Sequence, residues 1–291
     1  MFSQYFGQYL LNKGILRAEQ VEEALDLEQS VRVKLGILAM NAGYMTVTQV
    51  EEINALQKKR DRRFGELAID KGYLTEQQLE QLLKSQEQKY LNLSQVIVDK
   101  GFLSLSEVDE ALSNYKAENQ LSDEHIQALA KADIDAIVRF SLDFRREEKA
   151  DAYYNYAALT LRNIVRFLNE TPVLLKNNPV VGASFPWLVT QNMVSKDSLL
   201  TGLGMDDSTL LALAKRFSGE EISSTVDAFA KDCAGEFLNL TNGIFSVNSS
   251  NQGISYDLEP QEVMAKKAFP SIKGQVIPVR VSFGLICIFV N

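Results

Sequence analysis

Residues 223–243 read SSTVDAFAKDCAGEFLNLTNG. The run lacks proline and closes on a glycine, so it predicts one long helix with its C-terminal cap at Gly243. At about 100° per residue, Val226, Phe229, Ala230, Cys233, Phe237 and Leu240 fall on one apolar stripe. Asp232, Glu236 and Asn239 lie within about 60° of one another, roughly 100° from that stripe. Three polar side chains therefore share an outward face, with Ala228 and Gly235 beside them. A glycine inside a helix costs about 1 kcal/mol relative to alanine, so Gly235 asks for a reason. Small residues beside a polar row admit the close approach of another backbone. The row reads as a docking surface for a macromolecule; an ordinary solvated helix face is the plain alternative.

The surroundings of this helix set a fold class. A helix through AALTLRNIVRFLNE stops before Pro172, and DDSTLLALAKRFSGE from Asp206 is a capped amphipathic helix ending at Gly219. Strand-like runs lie between and after: VVGAS at Val180, WLVTQNM at Trp187, SLLTGLG at Ser198, ISYDLE, and VIPVRVSFGLICIFV at the end. In the last run Val279, Val281 and Phe283 alternate with Arg280 and Ser282. Helices and strands mix without regular alternation. The expected architecture from 151 to 291 is α+β, two long helices packed on an antiparallel sheet.

The first third is an internal repeat. FGQYLLNKGILRAEQVEEAL, LGILAMNAGYMTVTQVEEIN, FGELAIDKGYLTEQQLEQLL and LSQVIVDKGFLSLSEVDEAL align with a period of 29 residues. Their first small residues are Gly7, Gly36, Gly65 and Ser94; their second glycines are Gly14, Gly43, Gly72 and Gly101. Seven of these eight places are glycine in a chain with 16 glycines, which chance does not explain. Each unit predicts a short helix ending at its second glycine, then an apolar residue, then a longer amphipathic helix. In TEQQLEQLL, Thr75 is the N-cap, Gln78 completes a capping box, and Leu79, Leu82 and Leu83 form the buried stripe. Units this small stack to bury their apolar faces, so the plain reading is a helical scaffold. The expected organisation is an all-α repeat domain over 1–118, a linker helix over 119–150 begun by Ser122, and the α+β domain over 151–291.

Bulk composition narrows the chemistry. The net charge is −8, against a large DNA or RNA footprint. No apolar run is long enough to insert in a membrane, and the N-terminus does not read as a signal peptide, so the expected location is cytoplasmic. Cys233 and Cys287 sit in apolar surroundings outside any CxxC, as reduced core residues do. His125 is the sole histidine and falls in a first helical turn. Histidine catalysis and a metal site on this chain are not expected, nor is there a Walker loop, GxGxxG, nucleophile elbow or HExxH.

Two resemblances follow from these residues. Arg63, Phe64, Gly65, Gly72, Leu79, Leu83 and Gln86 of the third repeat resemble the N-terminal domain of type II secretion and pilus-extension ATPases, the MshEN type. Lys34, Leu35, Gly36, Gly43, Val50 and Gln57 match it in part, with Asn54 where leucine is expected; the first and fourth repeats depart further. Some members of that family bind cyclic di-GMP. The resemblance implies a nucleotide site at Lys34, Gly36, Gly43, Arg62, Arg63, Gly65, Gly72 and Gln86. Within KKRDRR, residues 58–63, Arg62 and Arg63 suit phosphates or guanine faces; the plain alternative is a solvated charge run at a helix end.

The ordered set Asp232, Glu236, Asn239, Gly243 and later Pro260 resembles the signature of the CheX/CheC/FliY response-regulator phosphatases. The gap to Pro260 is slightly short for that pattern. A single motif is found, as in the CheX type, which the resemblance makes a homodimer. It implies hydrolysis of an aspartyl phosphate on a phosphorylated receiver domain that itself carries Mg²⁺, with no cofactor on this chain. Asn239 would orient the attacking water and Glu236 engage the receiver's lysine; Asp232, Gly235 and Gly243 would lie at the receiver contact. A non-catalytic adaptor and a cyclic dinucleotide sensor remain the competing readings.

Overall fold

The computed structural model describes residues 1–57, 59, 62–84, 91–175, 184–268 and 274–291. The chain divides into two compact units, Met1–Ala132 and Asp133–Asn291.

The first unit is built of helices α1 (Phe2–Asn12), α2 (Ala18–Leu27), α3 (Leu35–Asn41), α4 (Val47–Gln57), α5 (Phe64–Asp70), α6 (Glu76–Lys84), α7 (Asn92–Asp99), α8 (Leu105–Glu118) and α9 (Asp123–Lys131). The 29-residue period is visible in the backbone. Gly14, Gly43, Gly72 and Gly101 all take a left-handed φ, between 66° and 70°, at the end of their short helices. The next N–H then reaches back five residues: Ile15 to Leu10, Tyr44 to Ala39, Tyr73 to Ala68 and Phe102 to Ile97, at 2.8–3.0 Å. This closes the orphaned carbonyls of the short helix and turns the chain into the next one. The capping box at Thr75 forms: its hydroxyl accepts from Gln78 N–H at 3.2 Å, and Gln78 Oε1 accepts from Thr75 N–H at 2.9 Å. The buried face of α6 is centred between Leu79 and Leu82, so Leu83, expected on that stripe, turns to its edge and is 49% exposed.

The repeats also meet one another. The first and fourth are joined by Lys100 to Glu23 at 2.7 Å and by Asn92 Nδ2 to the Glu28 carbonyl at 2.9 Å. The second and third are joined by Lys71 to Glu52 at 2.7 Å, and the second and fourth by Lys116 Nζ to Asn41 Oδ1 at 2.9 Å.

The single linker helix expected from Ser122 through Phe140 is instead two helices. Ala132 takes a left-handed φ of 55°, and Asp133 caps α10 (Ile134–Ser141) by accepting from Ala136 N–H at 3.1 Å. The segment 119–150 is therefore shared between the units, α9 in the first and α10 in the second.

The second unit continues with α11 (Ala150–Leu168), β1 (Val173–Leu174), β2 (Ser184–Val194), β3 (Leu199–Met205), α12 (Asp207–Ser218), α13 (Ala228–Ser250), β4 (Asp257–Leu258), β5 (Glu262–Ala268), β6 (Gln275–Val281) and β7 (Gly284–Val290). All pairs are antiparallel, in the order β1-β6-β7-β3-β2, and the far edge of β2 carries β4 and then β5. One sheet face (Val189 and Gln191 of β2, Thr201 and Leu203 of β3, Ile288 of β7) looks toward the long helices. The other carries Phe185, Leu188, Cys287 and Phe289. The helices close over Tyr156 and Phe237, both fully buried, with Tyr156 edge-on to Phe245 and Phe237 edge-on to Phe217.

Several expectations change. The final run is a strand pair, β6 and β7, but Ser282 and Phe283, expected in the strand alternation, form the turn between them. ISYDLE yields only the two residues of β4, while β1 and β5 were not foreseen. Of VVGAS, residues 180–183 lie outside the described residues and Ser184 opens β2. The motif helix starts later and ends later than its sequence suggests. Asp227 caps it by accepting from Ala230 N–H at 2.9 Å, which leaves Val226 outside, and it passes Gly243 to reach Ser250. Gly243 is a helix-interior residue rather than a cap. The buried line is Ala230, Cys233, Ala234, Phe237, Leu238, Thr241, Asn242 and Phe245, while Phe229 is 46% exposed. The predicted stripe drifted because the helix buries polar Thr241 and Asn242 against its neighbours.

Candidate functional site

The outward polar row of α13 forms as its spacing predicts. Asp232 and Glu236 are exposed and Asn239 is half-buried. Glu236 and Asn239, three residues apart, touch: Asn239 Nδ2 donates to Glu236 Oε2 at 3.4 Å. The other carboxylate oxygen of Glu236 accepts from Gln261 Nε2 at 3.0 Å. Gln261 follows Pro260 in the break between β4 and β5, so the far edge of β2 delivers it to the helix. Gly235 is buried beneath that side chain: a Cβ there would stand 3.0 Å from Gln261 Cγ. The close approach inferred at Gly235 is thus filled by this chain's own Gln261. Gly243 is half-buried two turns further along the helix.

Beside Glu236 lies a cleft of about 310 Å³ lined by Ala228, Lys231, Asp232, Gly235, Gln261 and Val263. Lys231 Nζ stands 4.7 Å from the centre of the Trp187 ring, a cation–π contact that fixes a positive charge by this cleft. Trp187 in turn donates its indole N–H to Asp207.

Three residues that the sequence reading passed over support the row from below. Gln191 of β2, 2% exposed, donates to Asn239 Oδ1 at 2.9 Å and to the Glu259 backbone carbonyl at 2.8 Å. Asn242, fully buried one helical turn after Asn239, donates to Gln191 Oε1 and to Thr201 Oγ1, each at 2.8 Å. Tyr156 donates its hydroxyl to Asn242 Oδ1 at 2.8 Å, and burial pushes its phenol well above the usual range. A signal was present: Thr190, Gln191 and Asn192 interrupt an otherwise apolar strand run. Buried amides of this kind are retained only when hydrogen-bonded, as these are.

The chemistry available is that of an amide and a carboxylate at the surface. Cys233 lies on the buried side of the helix, where burial raises its thiol pKa. Among the described residues, no three His, Cys, Asp or Glu side chains group as a metal site requires. His125 Nδ1 accepts from the Ser122 N–H at 3.3 Å, a capping role. No helix among the described residues is long and apolar enough to cross a membrane.

In the repeats, the first glycines are close-packing positions. A Cβ on Gly36 would lie 2.6 Å from Val50, and one on Gly65 would lie 2.7 Å from Leu79. Gly43 and Gly72 serve the left-handed turns instead. Lys34 and Arg63 hold equivalent places, each the extended residue before its short helix, with φ, ψ of −75°, 148° and −73°, 149°. Lys34 Nζ pairs with Asp99 of α7 at 2.6 Å. Arg62 pairs with Glu66 at 3.4 Å and with Asp70 of its own helix α5. Gln86 lies outside the described residues.

No protein-family profile matches this chain, and no curated protein matches it. Solved structures do. The chemotaxis protein CheX from Vibrio vulnificus is 15% identical, with 50% of this chain and 97% of that one covered and a TM-score of 0.43. A CheC-like superfamily protein from Shewanella sp. PV-4 is 19% identical, with 48% and 96% covered and a TM-score of 0.40. A CheX–CheY–BeF₃–Mg²⁺ complex from Borrelia burgdorferi matches at 15% identity, with 48% and 97% covered and a TM-score of 0.39. These neighbours cover about half of this chain.

Proposed function

We propose that the unit Asp133–Asn291 is a phosphatase for the aspartyl phosphate of a response-regulator receiver domain. The observation that carries this reading is the contact of Glu236 with Asn239 on an accessible helix face, beside a cleft. In the proposed reaction a water oxygen bonds to phosphorus as the bond to the aspartyl oxygen breaks. Inorganic phosphate leaves and the receiver aspartate returns as a carboxylate. Such a reaction needs positioning and charge stabilisation rather than a covalent partner. Asn239 orients the water. Glu236 exchanges its amide partners, Gln261 and Asn239, for the receiver's active-site lysine, a charge-assisted bond stronger than either. The receiver supplies Mg²⁺ to neutralise the phosphoryl oxygens. Asp232, on the same face, adds a contact to the docked receiver.

The test is the decay of phosphorylated receivers from the same cell with and without this protein. Acceleration is expected, and Asn239→Ala should lower it by about a hundredfold or more while receiver binding persists. Binding without acceleration would replace the enzyme with an adaptor. Neither binding nor acceleration with any receiver would remove the reading.

A further inference from the structure

We propose that Gln191 is a positioning residue that sets the sense of the Asn239 carboxamide, through a chain of hydrogen bonds anchored on the Glu259 carbonyl; this rests on the phosphatase reading above. An amide side chain can be turned over without changing its shape, so its neighbours must decide which end is oxygen. Here a backbone carbonyl decides. The Glu259 carbonyl only accepts, so the end of Gln191 facing it, at 2.8 Å, is Nε2. The second hydrogen of that nitrogen points at Asn239, at 2.9 Å, so the end of Asn239 facing it is Oδ1. Nδ2 of Asn239 is then turned toward Glu236. The opposite end of Gln191 agrees, since Oε1 accepts from Asn242 Nδ2, whose own Oδ1 is held by the Tyr156 hydroxyl.

The anchor is stiff. Glu259 is bound twice to Asn192 of β2: its N–H donates to the Asn192 carbonyl at 3.0 Å, and its Oε2 accepts from Asn192 Nδ2 at 3.0 Å. The following Pro260 confines Glu259 to extended backbone. Pro260 cannot donate to a ladder, so the strand breaks between β4 and β5 at this residue. The two residues flanking the proline then serve the two members of the site: Glu259 acts on Asn239 through Gln191, and Gln261 acts on Glu236 directly. A water-orienting amide with its sense already fixed loses no rotational freedom when the receiver docks.

The experiment uses the full chain and a receiver that the wild type dephosphorylates. Gln191→Glu keeps the shape and the acceptor toward Asn242 but removes both donors. The catalytic rate on the bound receiver should fall about tenfold to a hundredfold with receiver affinity retained. Lowering the pH protonates the introduced carboxyl and restores one donor. The ratio of variant to wild-type rate should therefore recover as pH falls while the thermal unfolding midpoint of the variant stays above the assay temperature at every pH, so that the recovery is not refolding. A variant as fast as wild type, or a deficit independent of pH, overturns the inference. A wild type without activity on any receiver overturns the phosphatase reading instead. If the substitution prevents folding, side-chain amide NMR of the wild type decides. Both Gln191 Nε2 hydrogens should exchange far more slowly than those of an exposed glutamine, and one should lose that protection in Asn239→Ala. Rapid exchange in the wild type overturns the proposal.

Discussion

At the scale of single residues, Gly65 and Gly72 show two different demands for the same amino acid seven positions apart. Gly72 holds a φ of 70° with open space where a side chain would go. Gly65 has an ordinary helical backbone but no room, with Leu79 Cγ, Cδ1 and Cδ2 all within 3.3 Å of a Cβ. Gly72→Ala is therefore expected to cost about 1 kcal/mol through backbone strain. Gly65→Ala should cost about 1–3 kcal/mol through overpacking against α6. Urea midpoints at equal m-value measure both. The sequence revealed the period and hence the turn glycines, since a helix stop has a local signature. It could not reveal why Gly36 and Gly65 are glycine, because the reason is a side chain fourteen residues away. For the same reason the ligand reading of Lys34 and Arg62 met acids the sequence did not place beside them, Asp99 for Lys34 and Asp70 for Arg62.

At the scale of elements, α13 shows what periodicity can and cannot see. The outward row was legible because i, i+4 and i+7 spacing fixes a face whatever the helix packs against. The inward face was not, because it includes Thr241 and Asn242, whose burial depends on Gln191, Thr201 and Asn163 on other elements. The glycine at 243 misled for a physical reason: a glycine that ends a helix and one within it look alike until φ is known. This gives a clear expectation. A Cβ at Gly243 meets nothing within 4 Å and the backbone is helical, so Gly243→Ala should stabilise the protein by about 0.5–1 kcal/mol. A cap residue would instead be destabilised. Thermal unfolding of the variant distinguishes the two.

At the scale of the whole molecule, the split between Ala132 and Asp133 predicts that residues 133–291 fold alone. That fragment should give a dispersed NMR spectrum and retain receiver dephosphorylation. A spectrum without dispersion would show that the second unit needs the first. The sheet core also makes a statement about pH. Burial pushes the Cys287 thiol from its ordinary 9.0 up to about 12. Above the ordinary value the unfolded chain ionises while the folded chain does not. The stabilising contribution is therefore complete below about pH 9 and is lost as pH rises toward about 12. Cys287→Ala should lose less stability than wild type between about pH 8 and about pH 10.5, measured by denaturant midpoints.

The contacts among the four repeats bear on how this chain can evolve. In an open array each module touches only its neighbours, so duplication or deletion of a module leaves every seam intact. Here the first module is sewn to the fourth through Glu23 with Lys100 and Glu28 with Asn92, and the second to the fourth through Asn41 with Lys116. These seams, with Lys71 to Glu52 between second and third, set the modules side by side in the order first, fourth, second, third, which is not their order in the chain. Loss or duplication of the fourth module would part its seams with both the first and the second. A change in the number of modules therefore costs interfaces that a change on one module's surface leaves intact, unlike in an open array.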